Sequence, residues 1–362
     1  MRVHIPTKTL SEALGHVERI IPTRSSNPGL SLLRLQGRQD HLVLTGSNLD
    51  LDVRAVIDAD VRGEGEVAVP AAVFGQVVRA APAESIELDV GETELSVASG
   101  SFATTLQLVA AENAPRLEFP ETFEGEIEGL DLAKALDHVR YAAAVADYQA
   151  VFRGVRLELH DERTRAVATD GFRLASYHAV SSTGLDADLL IPVRSVDELV
   201  KVLSAGPAQL ALQGGQLTVA SGPYTVNAKL MEGTFPDYER VIPAQFPVKI
   251  TLPAAALADA VARVAVMADK SANHRVDLFI KSGVLQITAE GSYGRAQEAI
   301  DVLQEGSESE IALAYNAKYL ADAVGPIAGD MQLEFSGTTT PSVATDLGDP
   351  AYLAMVVPLR TG

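Results

Sequence analysis

Short stretches in which apolar and polar residues alternate, Val3-His-Ile, Glu126-Ile-Glu and Val248-Lys-Ile, each lead into a segment whose apolar residues recur at helical spacing. In the first such segment these are Leu10, Leu14 and Val17. β runs follow, among them Leu42-Val-Leu-Thr, Val155-Arg-Leu-Glu-Leu, Leu278-Phe-Ile and Val284-Leu-Gln-Ile. A second helical segment comes next, and then more alternating strands with turns such as Gly214-Gly215. The pattern predicts helices over 8–20, 71–81, 131–141, 194–203, 255–270 and 316–323, with strands grouped around each pair. Strands gathered around two helices, rather than strictly interleaved with them, mean an α+β fold of antiparallel sheets and not a doubly wound parallel sheet.

The same order of elements occurs three times because the sequence itself repeats. Leu10-Ser-Glu-Ala-Leu-Gly-His-Val17 returns as Leu132-Ala-Lys-Ala-Leu-Asp-His-Val139, an offset of 122. Leu95-Ser-Val-Ala-Ser-Gly100 returns as Leu217-Thr-Val-Ala-Ser-Gly222, and Val69-Pro70 as Ile191-Pro192, at that same offset. A third copy is fainter: Leu257-Ala-Asp-Ala-Val-Ala-Arg-Val264, Ala314-Tyr-Asn-Ala-Lys-Tyr-Leu320 and Pro341-Ser-Val-Ala344 answer the same landmarks. A period this long exceeds a solenoid or propeller unit, so each copy is expected to be a domain with its own core. The expected domains are 1–118, 124–243 and 247–362, with proline-containing linkers near 116–121 and 241–247.

Composition narrows the classes. Of 362 residues 47% are apolar and 21% charged, values of a globular chain too long for one core. The absence of Cys excludes a disulfide scaffold, thiolate metal sites and cysteine nucleophiles. Twenty-nine Lys+Arg against 48 Asp+Glu leave a net charge of −19, which argues against nucleic-acid binding through a broad basic face. Met1-Arg-Val-His-Ile-Pro lacks the apolar run of a signal peptide, and no stretch reaches the roughly 18 to 20 apolar residues of a membrane span. The expectation is a soluble, cytoplasmic protein without membrane contact.

Catalytic motifs are missing. The chain has no G-x-x-x-x-G-K-[ST], no G-x-G-x-x-G, no G-x-S-x-G and no H-E-x-x-H, and no carboxylate spacing singles out a general acid and base. His16 and His138 recur at one repeat position, which reads as a structural or common-surface histidine rather than a metal ligand. No cofactor is expected.

Two segments need more than a fold to explain them. Ala168-Thr-Asp-Gly-Phe-Arg-Leu-Ala175 carries a turn signal at Asp170-Gly171 followed by Phe172 and Arg173, whereas the first copy reads Thr45-Gly-Ser-Asn-Leu-Asp-Leu51. Phe235-Pro-Asp-Tyr-Glu-Arg-Val-Ile-Pro243 is an unusually apolar connector. Together with the three-fold repeat and the Pro358-Leu-Arg360 tail, these motifs resemble the bacterial DNA polymerase III beta subunits, the sliding clamps, over the whole chain and in register.

The resemblance implies two-helix, two-sheet domains, and two chains joined head to tail as a homodimeric ring around duplex DNA. The helices would line the hole and the sheets form the outer wall. It further implies a cleft, between the second and third repeats, for short Gln-Leu-type peptides of the polymerase III catalytic subunit, the clamp loader and repair proteins. Carried over by position, the cleft would use Phe152, Thr169, Gly171, Phe172, Arg173, Leu174, Pro236, Arg240, Val241 and Ser342, completed by Met355, Val357, Pro358, Leu359 and Arg360. These residue types suit peptide binding. Phe172, Leu174, Val241, Met355 and Leu359 can wall a desolvated pocket, and the three arginines can hold peptide carbonyls or acidic neighbours. Phe172 stands where the family often has His, and Thr361-Gly362 extend past Arg360; both bear on partner preference.

For DNA the resemblance singles out Arg24, in the loop after the first helix, and Gln149. The family's basic position at the start of the second helix is Ala72 here, and its paired tyrosines are Ala150-Val151. The six expected helices carry ten Lys+Arg against nine Asp+Glu, a sum of +1, which leaves −20 for the rest of the chain. That asymmetry fits a near-neutral lining inside an acidic wall. Two competing readings are an acidic tandem-domain enzyme or scaffold with its site at a repeat junction, and a clamp whose acidity is of the halophile kind.

Overall fold

Proline sets where the strands stop and the helices begin. Pro6, Pro70 and Pro253 each precede a helix with an extended backbone and no side-chain cap. Pro cannot donate the next ladder hydrogen bond, and its fixed φ is already close to the helical value. The last helix starts differently: the Asn316 side chain accepts from the backbone N–H groups of Lys318 and Tyr319.

The computed structural model describes residues 1–145, 150–160, 163–179 and 181–360. Its α-helices are α1 (Thr7–Ile20), α2 (Ala71–Ala80), α3 (Gly129–Arg140), α4 (Val193–Val202), α5 (Ala254–Val264) and α6 (Ala317–Val324). Five match the sequence expectation to within two residues at each end. α5 is shorter, because the chain after Val264 turns through Ala265–Met267 and Lys270–Ala272. There the Asp269 carboxylate accepts from the backbone N–H and hydroxyl of Ser292, and Asn273 adopts a left-handed conformation. Short side chains that bond the backbone compete with helix continuation.

Among the described residues the strand pairings are antiparallel, and the sheets run across the repeat junctions. The chain forms two compact units, one of 1–133 with 183–185 and 197–230, the other of 134–182, 186–196 and 231–362. In the first unit a five-stranded sheet runs Asp60–Arg62, Arg2–Pro6, Ser85–Val90, Glu94–Ser99, Phe102–Gln107. Its eight-stranded sheet joins second-repeat strands, ending on Tyr224–Lys229, to first-repeat strands, beginning with Leu51–Asp58, in the register Tyr224↔Ala55. In the second unit a nine-stranded sheet joins Arg173–Ala179 to Tyr352–Val356, in the register Tyr177↔Tyr352. A four-stranded sheet of Gly294–Asp301, Val284–Gly291, Arg275–Lys281 and Glu310–Asn316 completes that unit. Backbone pairing thus welds half of the second repeat to the first repeat and the other half to the third.

Helical spacing delivers the cores. Leu10, Leu14 and Val17 of α1 are buried, as are Leu132, Leu136 and Val139 of α3 and Leu257, Val261 and Val264 of α5.

Candidate functional site

The Thr169–Arg173 turn is built by its own side chains. Gly171 N–H donates to Thr169 Oγ1 at 3.1 Å, whose hydroxyl donates to the Arg173 carbonyl at 2.7 Å. Phe172 and Arg173 N–H both donate to Asp170 Oδ1, at 2.9 and 3.0 Å. Gly171 takes a φ of 86°, a conformation in which a glycine is favoured. The first repeat makes the same turn: Leu49 N–H donates to Ser47 Oγ, Asp50 and Leu51 N–H donate to Asn48 Oδ1, and Leu49 accepts a φ of 77°. The scaffold is therefore duplicated; only the second copy hangs Phe172 and Arg173 on it.

Those two side chains part ways. Phe172 is 54% exposed and stacks on Tyr319 of α6, with ring centroids 6.5 Å apart. Arg173 is buried: its Nε donates to Asp170 Oδ2 at 3.0 Å, its Nη1 donates to Asp322 Oδ2, and its guanidinium lies 4.5 Å from the Tyr319 ring centre. Arg173 is thus tied into the fold as an internal strut. Lys318 shares the Asp322 carboxylate at 2.6 Å.

The chain's tail seals the turn. Val357 N–H donates to the Phe172 carbonyl at 2.8 Å, and Leu359 N–H donates to the Ala314 carbonyl at 2.7 Å. Register places Met355 beside Leu174 and Val343, and all three are buried in a cluster with Val167, Leu190, Phe235 and Tyr238. Val357 and Leu359 are half-buried, Pro358 is buried and Arg360 is exposed.

The Phe235–Pro243 connector joins the site as an apolar strap. Phe235 and Tyr238 are buried, and Arg165 donates to the Tyr238 hydroxyl and to Glu239, both at 2.6 Å. Burial pushes the Tyr238 hydroxyl up to about 12. Val241 is 49% exposed, and Arg240 is exposed and paired with Asp237 at 2.7 Å. Pro236 borders a groove of about 560 Å³ that is also lined by Arg156, Glu158 and His160. Phe152 lies half-buried in the 3₁₀ turn Ala150–Arg153, with its carbonyl accepting from Ala144 N–H. Ser342 is buried with its hydroxyl against that of Tyr315, so the neighbouring Val343, not Ser342, supplies side-chain surface to the apolar cluster. Sequence reasoning does not single out Tyr319, Asp322 or Val343 for the site; Tyr319 stands out there only as part of a repeat landmark.

Of the residues named for DNA, Arg24 is exposed in the segment after α1, and Gln149 lies outside the described residues. The helices as observed carry nine Lys+Arg against eight Asp+Glu, again +1. Eight of the nine cations sit within ion-pair distance of a carboxylate, among them Arg79 with Glu18, Arg19 and Lys201 with Glu198, Lys134 with Asp349 and Arg263 with Glu298. Exposed pairs of this kind add little stability, but they cancel the field that would hold a polyanion.

A thrice-repeated two-helix, antiparallel-sheet module with near-neutral helices is the architecture of a DNA clamp, a non-catalytic class. Family models for the DNA polymerase III beta subunit match three consecutive segments: the N-terminal domain over 1–118, the central domain over 126–237 and the C-terminal domain over 239–360. The chain belongs to that family, whose members are DNA sliding clamps and not enzymes. It is 30% identical to the beta sliding clamp of Pseudomonas aeruginosa over 374 residues, covering 99% of this chain and 100% of that protein. To the beta sliding clamp of Streptomyces coelicolor it is 28% identical over 379 residues, covering 99% of both. Among solved structures it matches the Pseudomonas aeruginosa clamp bound to griselimycin with a TM-score of 0.93 at 26% identity, covering both chains fully. The polymerase III beta subunit of Thermotoga maritima gives 0.91 at 25%, again with full coverage of both. Among the described residues no helix is long and apolar enough to cross a membrane.

Proposed function

We propose that two copies of this chain close head to tail into a ring around duplex DNA, and that the ring tethers the replicative polymerase, the clamp loader and repair proteins through their short peptide motifs. The observation that carries the ring is the pair of like joints within the chain. At each repeat junction the last strand of one repeat pairs with a central hairpin strand of the repeat before it: Tyr224–Lys229 with Leu51–Asp58, and Tyr352–Val356 with Arg173–Ala179. The remaining halves of such a joint are Phe102–Gln107 and Gly294–Asp301, which stand at the edges of their sheets. A free edge is a template for another strand. A second copy offers each edge its complement, and a heterologous contact that closes makes a ring.

A ring holds DNA by enclosure, so its lining needs few fixed contacts, and contacts to phosphates carry no sequence information. Helix cations already paired to carboxylates suit sliding better than gripping. The acidic balance of −19 then belongs to a wall that discourages DNA from binding outside. We place the protein in the cytoplasm at the nucleoid, where its DNA is.

The peptide site centres on half-buried Val357 and Leu359, backed by the buried Leu174 and Met355, with Phe172 and Val241 as exposed rims and Arg240 and Arg360 placed to meet an acidic neighbour. Arg173 acts through the turn it braces. Fluorescence polarisation with a short peptide carrying a Gln-Leu motif tests this reading: saturable binding that is lost when the leucine becomes Ala supports it, and unchanged binding of the Ala peptide removes the cleft.

A further inference from the structure

The two joints inside the chain share a side-chain contact that the third would have to make with different residues. At the first joint His16 of α1 packs on Tyr224, ring centroids 4.6 Å apart. At the second His138 of α3 packs edge-on to Tyr352 at 5.7 Å and to Tyr177 at 5.0 Å. In both, the histidine is the seventh residue of the repeated octet, and the tyrosine opens the last strand of the next repeat. The third octet, Leu257–Val264, has Arg263 at that position. The corresponding strand of the first repeat opens with Phe102. Neither residue has its counterpart within the chain.

The strand beneath Arg263 follows the same correspondence. Hairpin pairing puts Val284 in the third repeat where Arg163 stands in the second, and so Glu298 where Tyr177 stands. Side-chain contacts agree: as His138 meets Tyr177, Arg263 meets Glu298, donating from Nε at 2.9 Å and from Nη2 at 2.6 Å. The two-pronged bond fixes the plane of the guanidinium, which remains 59% exposed and open to a further partner. A flat cation of this kind is well suited to lie on an aromatic face. Phe102, half-buried and without a hydroxyl, needs no hydrogen-bond partner there.

We infer that each intermolecular seam is closed by a guanidinium–aromatic contact, Arg263 held by Glu298 lying against Phe102 of the partner subunit, where the two covalent joints use histidine and tyrosine. The strand register follows from Tyr224↔Ala55 and Tyr352↔Tyr177: Glu298 opposite the partner's Phe102, and Gln297 opposite the partner's Ala103. The inference rests on the head-to-tail ring proposed above. It makes the two openable seams chemically distinct from the joints that never open.

The test is a double-mutant cycle on the dimer, with Kd measured by mass photometry or sedimentation equilibrium on wild type, Phe102→Ala, Arg263→Ala and the double variant. Each contact occurs twice per ring, so either single change should raise the dimer Kd about tenfold or more. The double variant should be far weaker in effect than the product of the two singles. Phe102→Tyr, which keeps the ring face, should stay near wild type. A strictly multiplicative double variant, with melting temperatures unchanged, overturns the contact while leaving the ring reading intact. A wild-type chain that is monomeric at every concentration overturns the ring reading instead. The chain has no cysteine, so introduced pairs read the register cleanly. Oxidised Ala103→Cys/Gln297→Cys chains should run as covalent dimers and Thr105→Cys/Gln297→Cys chains should not; the reverse overturns the register.

Discussion

Arg173 donates from Nη1 to Asp322, a bond that helps tie the turn bearing Phe172 to helix α6. The side chain of Arg173 is 6% exposed and that of Asp322 24%, so the pair is largely removed from water. Removing Asp322 leaves the buried guanidinium bonded to Asp170 but short of its second carboxylate. Asp322→Ala should therefore destabilise the protein by about 1.5–3 kcal/mol, read by urea unfolding. Arg173→Lys should be nearly as harmful, since an ammonium cannot reproduce the fork to Asp170 and Asp322. Full stability in both variants would show that the turn stands without its strut.

Peptide affinity separates anchors from struts. Phe172→Ala and Leu359→Ala should each weaken binding of a Gln-Leu-type peptide by about 1–3 kcal/mol, measured by isothermal titration. Phe172→Ala should leave the melting temperature nearly unchanged, because the side chain is 54% exposed. Equal affinity in both variants would take these residues out of the site.

The joint histidines set an acid limit. Burial holds His16 and His138 below the usual histidine range, so both favour the neutral form in the folded chain. A base whose folded pKa is depressed stabilises the fold above its unfolded value and loses that contribution as pH falls. Stability should decline as pH drops below about 6.5, and His16→Gln/His138→Gln should flatten that decline. His160 has the opposite sign, raised by hydrogen bonding to Asp186 and Asp188, but it is exposed and its effect is screened. Thermal melts between pH 5 and pH 8 read the difference, and a decline of equal steepness in the double variant would clear the two histidines.

DNA affinity should respond to charge in both directions. Arg24→Glu should lower the residual, salt-dependent binding without altering dimerisation. Freeing helix cations should do the reverse: Glu18→Gln/Glu198→Gln releases Arg79, Arg19 and Lys201 from their carboxylates. That variant should bind DNA more tightly, with a steeper dependence on log salt. A flat salt response in it would mean these helices do not meet DNA.

Much of the fold is legible in the sequence, and the reason is repetition. The octet at Leu10, Leu132 and Leu257 marks three helices, and apolar spacing gives their buried faces. The Asp170-Gly171 turn and the apolar connector are also readable, because turn chemistry and buried aromatics are local signals. The bracing of Arg173 is not legible there: its partner Asp322 lies 149 residues away, and no local pattern announces that bond. The place of Val343 in the buried cluster, beside Ser342 on the opposite face of its strand, is a matter of register that the sequence does not announce. Sequence reasoning overruns the end of α5 because Asp269 reads as a helix-compatible charge until its bonds to Ser292 are seen.

Retention by enclosure has a topological test. The protein is loaded by its clamp loader and ATP onto a singly nicked DNA circle, and its retention is followed by gel filtration before and after the circle is linearised. A ring that holds DNA by enclosure stays on the circle and is lost from the linear molecule, with little dependence on sequence. Equal retention on both forms, or equal loss from both, would contradict it.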